Sequence, residues 1–261
     1  MTIRGKSALV TGSTSGIGLG VARALAGEGV NVMLNGFGDA EEIERIRSTL
    51  AEEFSVRVLY DAADLSDAAQ VAQLVRRTHV EFESLDILVN NAGIQFVAPI
   101  QDFPEEKWDA VIAVNLSAVF HAMKAAIPGM KERKWGRVIN IASAHGLVAS
   151  PNKVAYVAAK HGVVGATKVA GLELANDGVT VNAICPGWVL TPLVEQQLED
   201  RARQNATDVA HETEALLAEK QPMLTFTSPA SIGAFVVFLC SDAAQTITGA
   251  ALSIDGGWVA Q

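Results

Sequence analysis

The sequence predicts an α/β fold: one doubly wound, mostly parallel sheet with helices on both faces. Two observations predict it. Short apolar runs alternate with longer amphipathic segments along all 261 residues, and no linker, repeat or low-complexity tract interrupts them. A glycine-rich stretch, Thr11-Gly12-Ser13-Thr14-Ser15-Gly16-Ile17-Gly18, lies between the first apolar run and the first amphipathic segment. Strands that alternate with helices bury both faces of a parallel sheet, so each strand reads as a continuous apolar run.

In chain order, residues 7–11, 31–35, 57–61, 87–90, 137–142, 180–185 and 251–254 are short enough and apolar enough to be buried strands. Between them, 16–28, 40–54, 67–82, 105–133, 152–176 and 229–239 repeat their apolar residues with helical spacing. Residues 192 to about 227 stand apart as a polar, helix-prone insertion after the sixth strand. Ligands bind at the carboxyl edge of such sheets. The insertion (190–227 with its approach) is therefore expected to be a lid within a single domain spanning 1–261.

Composition narrows the function. A net charge of −9 without a block of like charge argues against nucleic acid, which needs a clustered basic face. Hydrophobic content of 49% with only 19% charged residues implies a large core and sizeable subunit contacts. Cys185 and Cys240 have no metal-type spacing and are expected to be buried thiols in a reducing compartment. The first residues lead directly into a strand with no signal-peptide layout. No apolar stretch approaches the roughly 20 residues of a membrane helix. A soluble cytoplasmic protein is expected, with no metal assigned; a structural metal near Gln261 is left open.

The chemistry concentrates in Tyr156-Val157-Ala158-Ala159-Lys160, with Ser143 upstream. Residues four apart share a helix face. A phenol titrates near pH 10 in water, and a neighbouring ammonium favours phenolate. Ser143 is placed to hold a substrate oxygen beside the Tyr156 hydroxyl. In the glycine stretch, Gly12 permits a tight turn, Gly16 lets backbone approach a pyrophosphate and Gly18 allows close helix packing. The helix N-terminus offers unpaired N–H groups to the anion.

Gly12-x-x-x-Gly16-x-Gly18, Asn90-Asn91-Ala92-Gly93, Asn115, Ser143, Tyr156-x-x-x-Lys160 and Pro186-Gly187 together resemble the short-chain dehydrogenase/reductase family, in its order and over nearly the full length. The resemblance implies a seven-stranded Rossmann-type sheet in the order 3-2-1-4-5-6-7, a nicotinamide cofactor and a homotetramer. It implies catalytic roles for Asn115, Ser143, Tyr156 and Lys160, with Asn115 in a proton relay and Lys160 also on the nicotinamide ribose. Cofactor contacts are implied at Gly12, Thr14, Ser15, Gly16, Ile17, Gly18, Asp64, Leu65, Asn91, Ala92, Gly93, Tyr156, Lys160, Pro186, Gly187, Val189 and Thr191. Without the resemblance, Asn115 reads as a helix amide bonded to backbone and Asp64 as a helix N-cap.

The second strand ends at Asn35-Gly36-Phe37, where an Asp or Glu is expected to hold the ribose of NAD. None is present, but no Arg or Lys occurs from 31 to 39 either. A 2′-phosphate would lack a cation, so NAD is expected, with Phe37 beside the adenosine.

At the substrate end, Gln95, Ser143-Ala144-His145-Gly146-Leu147-Val148, Asn152-Lys153, Pro186-Gly187-Trp188 and the segment from Thr191 to Glu195 resemble the bacterial D-3-hydroxybutyrate dehydrogenase group within that family. This resemblance implies a carboxylate held by Gln95, His145, Lys153 and Gln197, with Trp188 and Trp258 around a methyl end. Each has a plain alternative: Lys153 a solvated helix start, His145 a turn residue, the two glutamines surface amides, Trp188 core. A 3-oxoacyl thioester reductase, a sugar-alcohol dehydrogenase and a non-catalytic nucleotide sensor remain as rival functions.

Overall fold

The computed structural model describes residues 3–260. Seven parallel strands form one sheet: β1 (Ser7–Val10), β2 (Asn31–Asn35), β3 (Val58–Asp61), β4 (Ile87–Asn90), β5 (Gly136–Ile141), β6 (Val179–Pro186) and β7 (Ala251–Ile254). Their order is β3-β2-β1-β4-β5-β6-β7, as expected. The direction of travel reverses between β1 and β4, which creates the crevice where open α/β sheets bind ligands.

Successive strand residues serve opposite faces, as the twofold pleat requires. Leu9, Leu88, Val138 and Val181 pack under α3 (Ala68–Phe82), α5 (Ala118–Glu132) and α6 (Val154–Glu173). Ala8, Val10, Ile87, Val89 and Ile139 pack under α1 (Gly16–Gly27), α2 (Ala40–Phe54) and α9 (Pro229–Cys240). Both faces being covered, β1, β4, β5 and β6 are buried along their full length.

Two expectations need correction. The helix read at 105–133 is interrupted. It runs as α4 (Glu105–Ile112), one π-helical turn (Ala113–Ser117) and α5, with Pro128 inside the last part. The wide turn carries the Asn115 amide, which accepts from the Ile94 N–H (2.8 Å) and donates to the Ile94 carbonyl (2.9 Å). π-Bulges mark functional sites in helices more often than chance. The same continuous run, Glu105–Glu132, is also long and apolar enough by length and composition to cross a membrane, contrary to the reading above. Here its α5 part lays Ala118, Ala122, Met123 and Met130 onto the sheet, and a core helix passes the same test.

The insertion folds as two helices, α7 (Pro192–Asn205) and α8 (Val209–Ala218). Thr191 caps α7 ahead of Pro192, and Asp208 caps α8. Val194, Leu198 and Leu216 form a small separate core with Trp188 and Phe226. Glu212 ties the pair polarly, accepting from Arg201 Nε (3.1 Å), Asn205 Nδ2 (2.9 Å) and Thr207 Oγ1 (2.6 Å). These donors hold its carboxyl below the usual range, Thr207 most. Cys185 and Cys240 are buried, and burial pushes their thiols up to about 11 and about 12.

Candidate active site

The glycine loop follows β1 and opens α1. Gly12 (φ 61°) and Gly16 (φ 53°) both take the left-handed conformation. Gly18 has ordinary φ but no room: a Cβ there would lie 2.2 Å from the Gly12 carbonyl oxygen. Ser15 stands at the N-cap without a side-chain cap bond, so the first helical N–H groups, from Gly16, Ile17 and Gly18, face outward for an anion.

Asn91 and Ala92 brace this loop from behind. Asn91 Nδ2 donates to the carbonyls of Thr11 (2.9 Å) and Gly12 (3.0 Å), and the Ala92 N–H donates to Thr11 Oγ1 (3.1 Å). The Asn91 side chain thus shapes the phosphate loop rather than reaching into the crevice. Gly93 lies beside Asn115, whose side chain is committed to Ile94. The backbone-bonded reading therefore describes the Asn115 side chain.

At the end of β2, the missing acidic residue has a structural explanation. Asn35 is fully buried and accepts from the Gly12 N–H (3.4 Å), while its amide donates to Asp61 (3.1 Å) and Ala63 (3.0 Å) carbonyls. It joins three strand ends and presents nothing to a ribose. Phe37 is 67% exposed next to it, and the Phe37 carbonyl accepts from Thr14 Oγ1 (3.0 Å). Asp64 accepts from both the N–H and hydroxyl of Ser66 (2.8 Å each), whereas Asp67 is the residue that caps α3. Leu65 is buried beside it.

Pro186 ends β6, and the Gly187 turn admits no side chain because the Gln221 amide oxygen and Asp255 backbone crowd it. Val189 bridges to Thr227, and Thr191 lies near Gly16, within 3.4 Å of where a Cβ would sit. The turn and the glycine loop therefore face each other across the crevice, as one dinucleotide site requires.

Ser143 follows β5, and Tyr156 and Lys160 occupy the first turns of α6. A buried amide chain fixes that helix on the sheet: Asn90 Nδ2 donates to Asn140 Oδ1 (2.8 Å), and Asn140 Nδ2 to Thr167 Oγ1 (2.9 Å). Burial pushes the Tyr156 phenol up, and the neighbouring Ser143 hydroxyl draws it down by less. Lys160 is 4% exposed and donates to the Ile141 carbonyl (2.7 Å). Burial lowers its pKa to about 8. The expectation that Lys160 depresses the Tyr156 pKa is not met here. The ammonium lies 5.5 Å from the Tyr156 ring centre and is engaged by a carbonyl, so burial prevails.

Four of the six expected substrate residues converge. His145 stands edge-on to Tyr156 (ring centres 6.0 Å) and Trp258 (5.1 Å), Trp188 lies 6.1 Å from Trp258, and Lys153 Nζ lies 5.8 Å over Trp188. Lys153 is half-buried rather than a solvated helix start, whereas Trp188, also half-buried, joins the small core of Val194, Leu198 and Leu216 as well as this group. Gln95 and Gln197 are exposed and make no hydrogen bond or ring contact with this group among the described residues. Gln261 lies outside the described residues.

Burial, and then Lys153, lowers the His145 pKa to about 4. The imidazole is therefore neutral at pH 7, while the unfolded chain takes up a proton below about 6.5. A depressed histidine pKa gives stability that is complete above pH 6.5 and is lost as pH falls towards 4. The loss should reach about 2 kcal/mol at pH 5. Urea unfolding from pH 7 to 4.5 should show a shallower pH dependence for His145→Gln than for the parent; identical slopes would contradict the assignment.

Sequence reading missed Gln221. It is 1% exposed, accepts from the Trp188 N–H (3.1 Å), and donates to the Met223 carbonyl (3.3 Å) and to that of Thr225. It joins the Gly187 turn to the end of the insertion. No local pattern marks it, because its partners come from distant segments. Asp255 was detectable as the start of an Asp-Gly-Gly turn; it accepts from the N–H groups of Gly257 (3.1 Å) and Val259 (3.0 Å) and so seats Trp258. A separate cavity of about 330 Å³ between α3 and α5, lined by Val75, Ala126 and Arg133 among others, shares no residue with this constellation.

The family model described as short chain dehydrogenase matches residues 6–202. D-beta-hydroxybutyrate dehydrogenase of Cupriavidus necator is 55% identical to this chain, covering 99% of it and 100% of the relative. The protein of the same name from Rhizobium meliloti is 51% identical, covering 98% and 99%. A 3-oxoacyl-[acyl-carrier-protein] reductase of Staphylococcus aureus is 36% identical, covering 97% of each. Among solved structures, L-sorbose reductase from Gluconobacter frateurii, complexed with NADPH and L-sorbose, superimposes with a TM-score of 0.95 at 31% identity over the whole of both chains.

Proposed function

Since this chain belongs to the short chain dehydrogenase family and is an oxidoreductase, we propose that it oxidises D-3-hydroxybutyrate to acetoacetate, reversibly, with NAD. One observation carries the substrate: beside Tyr156 and Ser143, a neutral imidazole and an ammonium meet two indoles. That box offers donors for a carboxylate at one side and an apolar wall for a short chain at the other. A small acid needs such donors to leave water inside a protein of net charge −9. A long acyl thioester would have to pass Trp188 and Trp258, so the thioester reductase reading is not preferred.

The residues fit the cofactor. The uncapped start of α1 takes the pyrophosphate, Phe37 flanks the adenosine, Thr191 and Val189 hold the nicotinamide end, and Lys160 holds its ribose. NAD, when bound, supplies the hydride acceptor. Tyr156 takes the hydroxyl proton of the substrate, and Ser143 donates to the developing carbonyl oxygen. Lys160, anchored on the Ile141 carbonyl, keeps the nicotinamide ribose beside Tyr156. Lys153 orients the carboxylate, His145 walls the box with its ring nitrogens turned to Ser143 and Ser150, and α7–α8 close over the site as a lid, bringing Gln197 towards the carboxylate and towards Gln95 beyond β4. Such orientation is worth several kcal/mol of barrier when the reacting atoms are held at about 3–3.5 Å.

The same reading includes a cytoplasmic homotetramer serving ketone body metabolism. Leu172, Val169 and Phe120, exposed at 80%, 55% and 52% on α6 and α5, support burial against further copies; a monomer by light scattering would remove that part.

Initial rates of NADH formation should be fast with D-3-hydroxybutyrate and NAD, and at background with the L form or NADP. No turnover of either enantiomer with NAD binding retained would refute the substrate. Lys153→Ala should raise KM for the acid by about 10–100-fold, the scale of one charge-assisted hydrogen bond, while rates on the neutral methyl ester stay near those of the parent. An unchanged acid-to-ester ratio would dismiss the clamp.

A further inference from the structure

Ser150 lies outside every motif above, seven residues beyond Ser143. Its Oγ is 2.9 Å from His145 Nε2. The other ring nitrogen, Nδ1, faces Ser143 Oγ at 3.5 Å. Ser143 Oγ already accepts from the His145 backbone N–H (3.1 Å) and neighbours the Tyr156 phenol. Two serines and one imidazole therefore form a continuous chain that ends beside the phenol. Burial keeps the imidazole neutral, so one ring nitrogen donates and the other accepts.

The choice between them matters for Ser143. If Nδ1 lacks a proton it is an acceptor, and the Ser143 hydroxyl can turn to it and away from the substrate oxygen. If Nδ1 carries the proton, Ser143 can only accept from His145, and its single O–H is left for the substrate oxygen. A hydroxyl donating to Nε2 selects the second state, just as the partner of one ring nitrogen sets the other in metal and catalytic histidines.

We infer that Ser150 is a positioning residue which donates to His145 Nε2, holds the ring as the Nδ1–H tautomer and so aims the Ser143 hydroxyl at the reacting oxygen. No bond to substrate is involved. The inference rests on the catalytic part of the reading above, through Ser143, and not on the identity of the acid.

Two measurements test it. Long-range ¹⁵N–¹H correlation spectra of the intact protein at pH 7.5, without substrate, should show His145 as Nδ1–H in the parent and in Ser150→Thr. In Ser150→Ala they should show Nε2–H or a mixture. A parent spectrum showing Nε2–H, or a tautomer unmoved in Ser150→Ala, overturns the inference. In kinetics, Ser150→Ala should lower kcat about tenfold, less than the roughly 10²–10³ for deleting such a donor outright. The dissociation constant of NAD should not change, and Ser150→Thr should restore kcat to within about twofold. A kcat loss that threonine does not rescue would point to packing and would also overturn it. The spectra need no substrate, so a wrong substrate would leave the tautomer result standing, while a wrong tautomer would leave D-3-hydroxybutyrate turnover untouched.

Discussion

Tyr156→Phe should lower kcat by about 10²–10⁴-fold, the usual contribution of a positioned acid–base group, with the NAD dissociation constant within about twofold of the parent. The substitution removes only the hydroxyl. The ring edge against His145, 6.0 Å between centres, is kept, and so is the face beneath Lys160. Because burial pushes the phenol up in this structure, the parent should gain activity as pH rises through the neutral range, and the residual rate of the variant should lose that rise. Stopped-flow hydride transfer across pH 6–10 gives both readings. Near-parental turnover, or an unchanged pH profile, would take Tyr156 out of the proton-transfer role.

Gly18→Ala should damage cofactor binding from outside the crevice. The added methyl would fall 2.2 Å from the Gly12 carbonyl oxygen and 2.5 Å from Asn91 Nδ2. Something must shift, and both neighbours are the atoms that set the loop: Asn91 Nδ2 holds the Gly12 carbonyl at 3.0 Å. Overpacking of this kind costs about 1–3 kcal/mol, equivalent to roughly 2–12 °C in Tm for a chain of this size. The dissociation constant of NAD should rise at least about tenfold as the anion-facing N–H groups lose their alignment. Gly165→Ala, in α6 with nothing within 4 Å of the added methyl, is the matched control and should bind NAD as the parent does. Equal calorimetric affinities for the two variants would contradict this account of the loop.

The strands and both helical layers were legible because they are written in local patterns: continuous apolar runs for strands buried on two faces, helical spacing between them; the strand order followed from the family resemblance. The break at Ala113–Ser117 was not legible. Its cause is a bond between Asn115 and Ile94, 21 residues apart, and nothing in the local pattern of 105–133 distinguishes that turn. Ser143, Tyr156 and Lys160 were legible because one strand end and one helix turn carry them. Asn35 shows the opposite case. An acidic ribose partner was expected near it and is missing; its surroundings make it a bridge between three strand ends, which only the fold reveals. Gln221 and Ser150 act through partners that sequence spacing does not pair.

The two thiols have a practical corollary. Both are buried, and a thiol pushed up to about 11 or about 12 carries almost no thiolate at neutral pH, the form that alkylating reagents attack. The folded chain is thus a silent background for maleimide chemistry. A single cysteine placed at exposed Glu199 on α7 would take a fluorophore without removing either native thiol, and a change in its emission during turnover would test the proposed closure of the two-helix insertion.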